Sequence, residues 1–164
     1  MRFCAACIAL FLPQMVQAGD LEADRMSLRG LRSVGVIVEN QSPEVQQNGL
    51  TVNVIQTDVE SRLRQAGIPV LDSKESSKSG NAILMINVSI ITSKDGTWPF
   101  MVNVELVQDS ILRRDPSIVV SRAPTWSLMG FGSIGKTNVR SLRDDIKYLV
   151  DRFISAYLAM NAKR

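Results

Sequence analysis

The chain of 164 residues contains no histidine, and its two cysteines, Cys4 and Cys7, both fall within the first seven positions. Without histidine, Ser-His-Asp and Cys-His nucleophilic arrangements are excluded. The commonest zinc sites, which draw on Cys and His, go with them. Aromatic residues make up 5% of the chain, too few for an array of stacking side chains. Charge of one sign is never concentrated in a run, so neither a nucleic-acid footprint nor a basic membrane-surface patch is expected. Nor is there an apolar run of the roughly 20 residues that a bilayer requires, so no integral membrane segment is predicted.

What the beginning of the chain does contain is an export signal. Arg2 supplies the positive n-region, Ile8-Ala9-Leu10-Phe11-Leu12 the apolar centre, and Val16-Gln17-Ala18 the small or apolar residues before a cleavage site. Residues 1–18 are therefore read as a cleaved signal peptide and 19–164 as one domain. Cleavage removes both cysteines, so no disulfide framework remains and stability must come from core packing. A lipid-anchored protein would carry cysteine at the cleavage point, where this chain has Ala18-Gly19. The pattern predicts a bacterial periplasmic protein without a lipid anchor. Arg2 is the one charge removed, leaving 18 basic and 16 acidic side chains, net +2. A domain of this size buries roughly 70% of its unfolded surface, enough for one sizeable core.

Val34-Gly35-Val36-Ile37-Val38 is apolar on both faces, as a central strand covered on two sides would be. Val52, Ile55, Val59, Leu63 and Ala66 then recur at helical spacing behind Thr51 as N-cap, with Gly67 and Pro69 as the stop. Ile68-Pro69-Val70-Leu71 reads as a short strand, and 73–81 as a polar mobile loop. Residues 83–91 and 100–107 alternate, and Asp95-Gly96 between them predicts an antiparallel hairpin. The second of these strands has room to run on to Leu112. After a turn at 113–116 the chain returns through 118–120 and 125–127, completing a meander. A glycine-rich loop, 130–135, leads to a last helix lined by Val139, Leu142, Ile146, Leu149, Phe153, Tyr157 and Met160, with Thr137 or Asn138 as cap. The expected fold is α+β: one domain in the order β-α-β-β-β-β-α, its mixed, mainly antiparallel sheet carrying two helices on one face.

Gly130-Phe131-Gly132-Ser133-Ile134-Gly135-Lys136-Thr137 satisfies the phosphate-loop pattern G-x-x-x-x-G-K-[ST]. In such a loop backbone amides cradle phosphates, the lysine reaches the terminal phosphates and the hydroxyl holds magnesium. A phosphate-loop nucleotidase places that loop after its first strand and needs further parallel strands. Here one helix follows, and an exported chain meets little nucleoside triphosphate, so Gly130, Gly135, Lys136 and Thr137 are read as a fortuitous match. Asp144-Asp145 and Asp58 with Glu60 are carboxylate pairs at spacings that diverge on a helix, so solvated helix charge is the expectation. No catalytic residue, metal site or cofactor is assigned. Trp98, Trp126 and Phe131 are the candidate ligand- or partner-binding residues. Trp126 fits a core position better, whereas Trp98, expected in the hairpin loop, fits either role.

The chain resembles an uncharacterised family of small exported bacterial proteins. The residues that carry the likeness are 34–39, 59–70, Thr125-Trp126-Ser127 and 153–161. Its element order is also similar to the α/β domains of bacterial envelope lipoproteins: the penicillin-binding-protein activator, the periplasmic part of the curli secretion channel, and the amino-terminal domain of the Tol translocation protein. The resemblance implies that fold and a capacity to bind other proteins, and no catalytic residue. The lack of an anchoring cysteine is a departure from those lipoproteins. The leading expectation is a non-enzymatic periplasmic binding or accessory protein that recognises another envelope protein through its sheet edge or the segments around Trp98 and Gly130. A small-ligand-binding protein and a carboxylate-based hydrolase are the alternatives.

Overall fold

The computed structural model describes residues 20–39 and 41–162. The expected signal peptide, 1–18, lies outside the described residues. A short helix α1 (Glu22–Arg25) and a 3-10 turn (Met26–Leu28) precede β1 (Gly35–Val38). Three helices follow: α2 (Pro43–Gln47), α3 (Val52–Gln65) and α4 (Ser73–Ser76). The strands β2 (Ile83–Ile90), β3 (Thr97–Leu112) and β4 (Asp115–Gly135) come next. A 3-10 turn (Lys136–Ser141) and the long helix α5 (Leu142–Met160) close the chain. The fold is α+β, with one four-stranded sheet in the order β1-β2-β3-β4. Expected as a central strand, β1 therefore stands at the edge, with only the Val34–Val70 bridge on its outer side. Parallel pairing joins β1 to β2, and the other pairs are antiparallel.

The helix α3 forms where the apolar spacing places it. Thr51 Oγ1 accepts from Val54 N at 3.3 Å, and Ile55, Val59 and Leu63 are buried. Gly67, at φ 79°, turns the chain out of the helix. In place of the expected strand over 68–71 there is a single bridge, Val34 to Val70. Pro69 has no N–H to extend a ladder, and Asp72 diverts the chain at once by accepting from Glu75 N at 2.7 Å as the cap of α4. Residues 73–76 of the expected loop are therefore helical.

The largest correction concerns 130–135, which is not a loop but the end of the 21-residue strand β4. Val102 pairs with Gly130 and Phe100 with Gly132. A Cβ on Gly132 would stand 3.1 Å from the Phe100 ring, so this glycine makes room for an aromatic neighbour. Consequently 118–120 and 125–127 belong to one continuous strand. Thr137 and Asn138 lie within the 3-10 turn, and Ser141 occupies the N-cap of α5 without a side-chain hydrogen bond.

Strand alternation divides the sheet into two unlike faces. Val36, Val38, Leu84, Ile86, Val88, Val102, Val104, Leu106, Trp126 and Leu128 are buried on one side, under α3 and α5. Arg62 with Asp151 and Arg143 with Asp58 tie the two helices together. On the second face α4 covers only one end, over Gly35, Ile83 and Val107. Past the last pair between β2 and β3, β3 and β4 continue alone as a two-stranded arm with Ile111 and Val119 exposed.

Gly35 sits beneath α4 so closely that a Cβ would come within 2.7 Å of Ile83 Cδ1 and 2.8 Å of Ser76 Cβ. Gly35→Ala is expected to destabilise by about 1–3 kcal/mol through overpacking. Gly130→Ala, whose Cβ would meet only Leu149 Cδ1 at 3.7 Å, is expected to change stability by less than about 0.5 kcal/mol. Urea melts of the two variants check the contrast, and equal losses would contradict this account of α4 packing.

Candidate functional site

The aromatic candidates fall on different faces. Trp98 is not in a loop: β3 begins at Thr97, directly after the turn in which Gly96 takes φ 81°. Its even position then turns the indole towards the helix-packed face, where it is fully buried. Its Nε1 donates to Ser93 O at 3.1 Å, and Lys136 Nζ lies 5.6 Å from the ring centroid. Trp126 is also in the core, edge-on to Phe153 with 5.2 Å between ring centroids. Neither indole presents a surface to a partner.

Phe131 does, with 42% of its surface exposed. It stands on the second face of the sheet, opposite Met101 across the β3–β4 ladder, with Asn103 and Met129 as the next pair and Glu105 and Ser127 beyond. Met101 and Met129 are half-buried. Beside them runs a polar row in which Asn87 Nδ2 donates to Glu39 and Asn103 Nδ2 donates to Glu105 Oε1 at 2.7 Å. The surface combines flexible apolar side chains with amides and two carboxylates that form no ion pair among the described residues. That mixture matches the make-up of protein-recognition surfaces, where aromatic residues and methionine are enriched.

Asp58 and Glu60 are each held by different partners. Asp58 is held by Arg143 on α5 at 2.7 and 2.9 Å, which lowers its carboxyl below the usual range. Glu60 instead bonds Arg64 and Gln56 on its own helix. Burial and the neighbouring Asp144 raise Asp145. Among the described residues no group of three or more His, Cys, Asp or Glu side chains could hold a metal ion.

Sequence reasoning missed the strongest polar cluster. Asp20 has a side chain 1% exposed, yet it receives Arg25 Nε and Nη2 at 2.7 and 2.8 Å, Arg152 Nη2 at 2.9 Å and Trp126 Nε1 at 2.9 Å. Burial pushes its carboxyl up, but Arg25, Trp126 and Arg152 together hold it below its usual value. All four groups are satisfied, so the cluster is a structural clamp that closes the start of the domain onto β4 and α5. Its local sequence signal is Arg25 alone; Trp126 and Arg152 arrive from 106 and 132 residues away.

In the phosphate-loop lookalike, residues 130–135 are extended and paired with β3, so their amides do not curl around an anion. Lys136 Nζ faces Glu44 Oε1 at 3.3 Å. Calorimetric titration with a magnesium–ATP analogue is expected to give no binding heat. Micromolar binding that Lys136→Ala abolishes would contradict this.

No protein-family model matches the chain, and comparison with curated proteins yields no match. Among solved structures, a minor lipoprotein from Acinetobacter baumannii aligns over 79% of this chain and 93% of its own, with 8% identity and a TM-score of 0.31. At that score the likeness carries neither fold nor function across. No helix among the described residues is long and apolar enough to cross a membrane.

Proposed function

We propose that the exported chain is a non-enzymatic binding or accessory protein of the bacterial envelope, which recognises another envelope protein through the uncovered part of its sheet. The observation carrying this reading is the asymmetry of the sheet. One face is sealed by α3 and α5, while the other leaves Phe131, Met101 and Met129 open beside Asn103 and Glu105. These side chains are already partly buried, so covering each is worth less than the roughly 1.5–3 kcal/mol of a fully exposed one, which suits a weak, reversible complex. The export signal read in the sequence supports a periplasmic setting, and the divergence of the carboxylates among the described residues favours binding over hydrolysis.

Affinity capture from an envelope extract tests it. The wild-type protein is expected to retain one partner in stoichiometric amount, and Met129→Ser with Phe131→Ser is expected to lose it while the melting temperature falls by only a few degrees. Equal capture by both proteins, or a hydrolytic turnover abolished by one carboxylate substitution, would overturn the reading.

A further inference from the structure

The outer edge of β1 carries unpaired backbone beside a groove. In a strand, successive residues direct their N–H and C=O groups to opposite sides. Gly35 N donates to Ala82 O at 2.9 Å and Glu39 N to Ile86 O at 3.0 Å, so odd-numbered residues serve β2. Val34, Val36 and Val38 therefore face away from it. Val34 is satisfied: its N–H donates to Pro69 O at 3.1 Å and its carbonyl accepts from Leu71 N at 2.9 Å. The chain then leaves at Asp72, and Val36 and Val38 find no main-chain or side-chain partner on that side among the described residues. Both are nevertheless well buried, at 5% and 8% exposure. That burial belongs to their side chains, which face the helix-packed core, while the unpaired main-chain groups line an open groove.

Beside them a cavity of about 310 Å³ opens between α3 and α4. Gln56 and Glu60 stand on its α3 wall, Ser77 and Arg122 on the opposite wall. We propose that this groove is a strand-addition site, which takes an extended segment of a partner polypeptide as a fifth strand against β1. The inference rests on the protein-binding reading above and adds to it a second contact, at the edge of the sheet opposite the β4 strand that carries Phe131. Two donor–acceptor sets repeating every second residue match an extended polypeptide, the ligand recognised by β-augmentation. Residues 69–71 already begin that strand by pairing with Val34, so the added segment continues an existing row. Alternate side chains of the segment point to opposite walls. Glu60, which already accepts from Gln56 at 2.9 Å and pairs with Arg64 at 2.8 Å, takes a basic residue of the segment on one side by exchanging the exposed Arg64 for it. Arg122 selects an acidic residue at an adjacent position on the other.

Selection of a random displayed peptide library against protein purified after expression of the full chain tests this. The enriched peptides are expected to place basic and acidic residues next to each other and, when bound, to slow hydrogen exchange at the Val36 and Val38 amides. Glu60→Lys is expected to weaken a selected peptide about tenfold and to enrich acidic residues at the formerly basic position. Peptides that protect β4 amides instead, or that bind Glu60→Lys as well as wild type, would overturn the β1 site and leave the protein-binding reading standing. If no peptide is enriched while the envelope extract still yields a stoichiometric partner, the β1 site fails alone. If both experiments fail, both readings fall.

Discussion

Replacing Asp20 with alanine is expected to lower stability by about 3 kcal/mol, close to the lower end for breaking a buried charge cluster. The loss is not larger because Arg25 and Arg152 keep 37% and 27% of their side-chain surface in water. They can recover hydration when the carboxylate goes, whereas the Trp126 indole N–H, inside the core, cannot. Asp20→Asn retains an acceptor for that N–H and is expected to cost about 2 kcal/mol, mainly from the two guanidinium groups. The pH dependence has a definite sign. The folded carboxyl titrates below its unfolded counterpart, so its stabilisation is present above the unfolded value and is lost as pH falls through the folded one. Urea melts of wild type and Asp20→Asn should therefore differ fully above about pH 5 and converge in stronger acid. A difference that grows as the pH falls would contradict the clamp.

Trp98→Ala is expected to cost about 3–5 kcal/mol, since a fully buried indole leaves a cavity and Ser93 O loses its donor. For a domain of this length the melting point should fall by roughly 10 °C or more. Phe131→Ala, on the same two strands, should leave the melting point within a few degrees, because surface truncation changes stability by less than about 0.5 kcal/mol. The two variants thus separate an aromatic that builds the domain from one that faces outward. Thermal denaturation followed by tryptophan fluorescence checks both. A tolerant Trp98→Ala or a destabilised Phe131→Ala would contradict the assignment of faces.

Much of the architecture was legible because its signals are local and dense. Val52, Ile55, Val59 and Leu63 lie within a single helix, and the stop at Gly67 needs no tertiary contact. Leu84, Ile86 and Val88 alternate strictly against Val102, Val104 and Leu106, and Gly96 fixes the turn between their strands. Misreadings occurred where a distant neighbour decides. Gly130, Gly132 and Gly135 look like a flexible loop until the Phe100 ring is seen occupying the space beside Gly132. Pro69 and Val70 are apolar enough for a strand, but Asp72 caps α4 before a ladder can form. Without a continuous β4 the pairing of Met101 with Phe131 cannot be drawn from the sequence, and the exposed face stays hidden. Phe131 was singled out as an aromatic residue, without the register that gives it Met129 and Met101 as neighbours. The Asp20 clamp was hidden more completely, because its partners converge only after β4 and α5 are packed.

If the uncovered sheet face meets another protein, position 131 lies within reach of that partner. Site-specific photo-crosslinking in intact cells tests this contact most directly, with the photoreactive residue at position 131 and, as a control, at position 158 on the solvent side of α5. The prediction is one discrete heavier adduct from position 131 and none from 158. No adduct from 131, or the same adducts from both positions, would contradict it.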